Sequence, residues 1–82
     1  MNQVLKYSTD PGINRVSVDD VAVGQYHVLS VGDGSFEAQR IFEVERSSNG
    51  ALTIHTGDPA SSLRRDFSKG QKVDILRNLT GC

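Results

Sequence analysis

Apolar and polar residues along this chain alternate in short runs, and each run is cut by turn residues. Val, Ile, Tyr, Phe and Thr concentrate between Pro11-Gly12, Gly24, Gly32-Asp33-Gly34, Asn49-Gly50, Gly57-Asp58-Pro59 and Gly70. Short β-rich runs spaced by about 8–12 residues predict a small all-β sandwich or barrel. Residues 25–31 and 36–46 read as strands joined at Asp33-Gly34, a pair that suits a two-residue type I′ loop. That loop sets Val31 opposite Phe36 and Leu29 opposite Ala38. Period-2 alternation then places Leu29, Val31, Phe36, Ala38, Phe42 and Val44 on one core face.

The next hairpin offers two registers. A two-residue Asn49-Gly50 loop would turn Glu45 and Ser47 onto the apolar face. A three-residue loop, Ser48-Asn49-Gly50, instead pairs Val44 with Ile54 and Phe42 with Thr56, with Gly50 left-handed in a bulged turn. A one-residue slip inverts every side chain, so the three-residue loop is preferred. Strands are also expected near 3–8 and 14–18. A final strand is expected over 71–79, with Val73, Ile75 and Leu79 on one face.

One short helix is predicted over 59–69. Asp58 is a suitable N-cap, Pro59 fits the first helical position, and Gly70 is a stop. Leu63 and Phe67 lie four apart and can share a buried stripe. The fold class expected is therefore mainly β with one short helix, a single small barrel domain spanning 1–82. The order of elements resembles an SH3-like barrel in layout, preferred over an OB-like one, with the helix in the place of the turn before the last strand. This is a resemblance of architecture, and such barrels carry many unrelated functions.

Length sharpens the picture. A chain of 82 residues holds one domain. A core of this size supplies roughly 3–5 kcal/mol, which makes self-association a common supplement. The one cysteine, Cys82, cannot form a disulfide within its own chain, which fits a reducing cytoplasm. The first residues lack the pattern of a signal peptide, and no apolar run approaches the ~18 residues of a membrane-spanning helix.

Net charge is −1, yet it is divided unevenly. Residues 1–58 hold four basic and eight acidic side chains, and residues 59–82 hold five and two. Such asymmetry can mark a binding face or an attraction between the two parts. The basic set is Arg64, Arg65, Lys69, Lys72 and Arg77.

Candidate chemistry is sparse. His27 and His55 lack a partner at metal-ligand spacing, so neither a metal nor a cofactor is expected. Glu43 and Glu45 share an outer strand face rather than an apolar pocket, which does not suit general acid–base work. Asp19-Asp20 reads as a solvated turn. No Gly-x-Ser-x-Gly elbow is present. Tyr26, Val28 and Ile41 fall opposite the predicted core face. In a bent barrel strand they are core; left exposed they form an apolar patch of the kind partners bind.

The sequence supports a non-enzymatic module that binds another protein or a second copy of itself. Its expected contacts are Tyr26, Val28 and Ile41 as apolar groups and Arg64, Arg65 and Lys72 as charged ones. The length suits a small bacterial or phage accessory protein. The rival reading is a small-barrel nucleic-acid binder using the basic cluster at 64–77, although exposed aromatics for base stacking are few.

Overall fold

The computed structural model describes residues 4–77. Seven antiparallel strands follow in chain order: β1 (Val4–Tyr7), β2 (Ile13–Ser17), β3 (Tyr26–Ser30), β4 (Phe36–Arg46), β5 (Leu52–Thr56), β6 (Leu63–Phe67) and β7 (Lys72–Leu76). Two 3₁₀ turns, Val18–Asp20 and Pro59–Ser61, complete the elements. The ladder runs β2-β7-β3-β4-β5-β6, with β1 also on β4, and it does not close. No helix among the described residues is long and apolar enough to cross a membrane.

β4 organises the molecule because it belongs to two sheets. Its first half pairs with β1 and β3, and its second half with β5. A bulge between Ile41 and Glu43 divides the halves. In a regular strand those two side chains would share a face. The extra residue, Phe42, breaks the alternation, so Ile41 is fully buried while Glu43 points to solvent. The main core thus collects Val18, Val21, Ile41, Leu52, Ile54, Val73 and Ile75, with Val16, Val44 and Phe67 packed against them. A second cluster, Tyr26, Val28, Ala38 and Leu76, packs with Leu5, Tyr7, Ile13 and Phe36. Each fully buried aliphatic side chain contributes roughly 1.5–3 kcal/mol of transfer free energy.

The Ser48-Asn49-Gly50 hairpin forms as expected. Val44 faces Ile54, Ser47 N–H donates to Ala51 O at 3.1 Å, and Gly50 is left-handed at φ 89°. The bulge shifts the far end, so Thr56 faces Ile41 and not Phe42.

The first hairpin departs from its predicted register. Gly32, Asp33 and Gly34 all take positive φ, and Val31 N–H donates to Ser35 O across them, so the loop has three residues rather than two. The Asp33 carboxylate locks it by accepting from Ser35 Oγ at 2.7 Å. The shift of one residue on β3 pairs Val28 with Ala38 and Tyr26 with Arg40. Tyr26 and Val28 therefore face inward, whereas Leu29 is half-buried and Val31 is 55% exposed.

The predicted helix over 59–69 is absent. Asp58 does cap a turn, accepting from Ala60 N–H at 2.9 Å, with Pro59 opening it. The turn ends at Ser61, and Leu63–Phe67 continues as β6 on β5. The i,i+4 spacing of Leu63 and Phe67 is common to both periods, because Leu63, Arg65 and Phe67 also share one face of a strand. An isolated helix of that length is marginal, whereas pairing with β5 satisfies backbone groups on both strands. The last strand spans 72–76; Leu79 lies outside the described residues.

Candidate functional site

The six residues expected to bind a partner do not come together. Tyr26, Val28 and Ile41 are 6%, 4% and 0% exposed and belong to the cores. The bent β4 and the shifted β3 register turn them inward, so they form no surface patch. Arg64 and Arg65 lie on β6, and Lys72 opens β7 in the other sheet, beside Ser17. Lys69 lies against Gly50, and Arg77 donates to Ile13 O. The basic residues are therefore spread over several elements.

Cross-strand register explains what surrounds β6. Glu43 faces His55, and His55 faces Arg64. One row along, Glu45 faces Thr53, and Thr53 faces Asp66. All six share the outer face of the β4–β5–β6 sheet, since directly opposed residues point the same way. His55 Nε2 and Glu45 Oε2 are 2.5 Å apart. Asp66 accepts from Thr53 Oγ1 at 2.7 Å and from Arg64 Nε at 3.2 Å. The Thr53 hydroxyl, aided by Arg64, holds the Asp66 carboxyl below its ordinary value. Three carboxylates share this face, and its arginine, Arg64, is paired with Asp66.

The inner rows carry a different chemistry. Arg65 faces Ile54 and Phe67 faces Leu52. Arg65 Nε is buried with no hydrogen-bond partner among the described residues. Nearby, buried His27 sits edge-on to the Phe67 ring, with centroids 5.8 Å apart. Its Nδ1 donates to Asp74 O at 3.0 Å. Burial pushes the His27 pKa down; the Asp74 carbonyl opposes that, and the Arg65 charge adds to it. Beside it, Thr56 Oγ1 donates to Gln39 Oε1 at 2.8 Å, and Gln39 Nε2 donates to Glu37 Oε1 at 2.7 Å. These bonds satisfy the polar side-chain atoms of Thr56 and Gln39.

A shallow cleft beside the β3–β4 hairpin is lined by Lys6, Tyr7, Val31, Ser35, Phe36 and Glu37, among others. Its one carboxylate is the Glu37 group already bonded to Gln39, and no imidazole lines it.

What the sheet does offer is an edge. Among the described residues, β6 ends the ladder and pairs only with β5, so no described strand covers its outer side. Leu63 on this edge is 47% exposed. Linear reasoning missed this edge because Leu63 and Phe67 read as a helical stripe. It also dismissed Glu43, Glu45 and His55 separately, although their shared outer orientation could be read from alternation. Cys82 lies outside the described residues. The chain matches no family profile, no curated protein sequence and no solved structure.

Proposed function

We propose that this chain is a non-enzymatic protein-interaction module that pairs with a second copy of itself through β6. The observation that carries the reading is the outer edge of β6, which is unpaired among the described residues and presents backbone donors and acceptors with an exposed leucine. Such an edge is a ready template for another strand. We read the layout as an open relative of the SH3-like arrangement, because one long strand is shared by two sheets and a 3₁₀ turn precedes a late strand.

The sequence of β6 selects the partner. Antiparallel pairing of two copies about Arg65 sets Arg64 against Asp66 of the second copy, twice over. The same register sets Leu63 against Phe67, also twice. Opposite-charge and apolar cross-strand pairs contribute roughly 0.2–1 kcal/mol each. The one unfavourable pair, Arg65 against Arg65, is outnumbered four to one in this register. Displacing the pairing by two residues brings either Arg64 or Asp66 against its own copy and loses the match. Lys72 takes no part in this edge.

Sedimentation over a range of concentrations tests the reading, with nuclease-treated protein to remove carried nucleic acid. A dimer is expected. It should be weakened by Arg64→Asp and by Asp66→Arg, and restored by the double exchange, which keeps opposite charges facing across the interface. A chain that stays monomeric throughout overturns self-association, as does a dimer indifferent to both single substitutions. Binding that appears only with nucleic acid and falls steeply with salt would instead favour the phosphate-binding alternative.

A further inference from the structure

We propose that Glu43, Glu45 and His55 form a divalent-cation site on the outer face of the β4–β5 hairpin. One nitrogen or oxygen donor from each of the three side chains lies within 4.8 Å of the other two. The arrangement follows from the backbone. Glu43 and Glu45 alternate on one strand, and His55 faces Glu43 directly from the next. An i, i+2 pair and a cross-strand residue bring three Cβ atoms into a triangle on a rigid, hydrogen-bonded frame. The β4 bulge makes this possible, since without it Glu43 would follow Ile41 into the core. Bulges that re-aim a side chain recur beside functional sites.

Charge supports the same reading. Among the described residues, neither glutamate has a Lys or Arg ion-pair partner; the nearest arginine on this face, Arg64, is paired to Asp66. Two carboxylates two positions apart repel, and a cation between them removes that cost. The His55 ring leans on Phe42, with centroids 6.3 Å apart, which restricts how it can turn.

The donor set indicates the metal. One imidazole and two carboxylates suit a borderline divalent ion such as Zn²⁺ better than Ca²⁺ or Mg²⁺, which take oxygen ligands. Zinc bound by three protein ligands keeps a position for water. To seat it, the 2.5 Å contact between His55 Nε2 and Glu45 Oε2 must open to about 3–3.4 Å, the ligand–ligand span set by metal bonds of about 2.0–2.1 Å. The ion then takes the place of the hydrogen bond between those atoms.

The proposal is independent of the β6 reading, because sedimentation does not report it and calorimetry does. ZnCl₂ is titrated into the full chain carrying Cys82→Ser, which removes the competing thiol, and into the same chain with His55→Ala or Glu45→Gln added. One equivalent per chain is expected, weakened about tenfold or more by either substitution. Absence of saturable binding overturns the site, and so does wild-type affinity retained in either variant. As a readout that needs no variant, Mn²⁺ should broaden amide resonances around Glu43, Glu45 and His55 first. Broadening centred elsewhere also overturns it.

Discussion

Arg46 ends β4, and its guanidinium reaches across to the 3₁₀ turn, donating to Val18 O at 2.9 Å and to Val21 O at 2.5 Å. That turn and the Val21 that caps it supply two of the most buried side chains in the main core, Val18 and Val21, each 1% exposed. Replacing Arg46 by Met keeps the apolar stem and removes both bonds. Hydrogen bonds from a charged group are worth about 1.5–3 kcal/mol each when buried. These are partly open to water, so the pair should contribute roughly 2–3 kcal/mol. A small core supplies about 3–5 kcal/mol in all, so the loss is a large share of it. It should lower the melting temperature by about 10–20 °C, at ~4–8 °C per kcal/mol for a domain of this size. Urea unfolding followed by circular dichroism measures it, since the chain has no tryptophan. The denaturant slope should be unchanged, because the surface exposed on unfolding is the same. Arg46→Lys, which cannot span both carbonyls, should fall between Met and the parent. A Met variant within about 0.5 kcal/mol of the parent refutes the clamp.

Two further predictions follow from burial. His27 is held neutral, its pKa pushed down chiefly by desolvation. The unfolded chain takes up that proton near pH 6.5, so stability is full above that value and declines as pH falls below it toward the folded pKa. His27→Asn should flatten the change in urea midpoint between neutral and mildly acid pH, and equal slopes in the two proteins would remove this histidine from the account. The β3 register separates two valines that the expected one grouped differently. Val28→Ala should cost roughly 2 kcal/mol or more and Val31→Ala less than about 0.5, and the reverse order in unfolding measurements would restore the two-residue loop.

The second hairpin was legible because the two possible registers differ in what they bury: one puts Glu45 on the apolar face, the other Val44. The first hairpin lacked that contrast. Leu29 and Val31 are as apolar as Tyr26 and Val28, so alternation fits either face, and the choice falls to Gly32, which extends the run of positive φ by one residue. Leu63 and Phe67 failed for a related reason, since a spacing of four satisfies helix and strand alike. The outward placement of Glu43, Glu45 and His55 was readable from alternation. Their convergence was not, because the Phe42 bulge leaves no mark in composition. The two asparagine and aspartate turns, by contrast, kept the local chemistry expected of them: Asn49 Oδ1 accepts from Ala51 N–H at 3.0 Å and Asp58 from Ala60.

The position of β7 bears on how the chain is made. It is the last strand to leave the ribosome among those described, yet it lies between β2 and β3 in the sheet. Until residues 72–76 emerge, β2 lacks its partner among the described strands, since β7 is the one it pairs with there. The Arg15–Asp74 ion pair that crosses this seam joins residues 59 positions apart. At synthesis rates of about 5–20 residues per second, the growing chain carries an unpaired β2 for several seconds. The β3–β4–β5 meander can form in that interval, but the main core cannot. Acquisition of the native state is therefore a late insertion of one strand into a waiting gap, and a stalled or shortened nascent chain would expose β2 and the adjoining edge of β3 to whatever strand it meets.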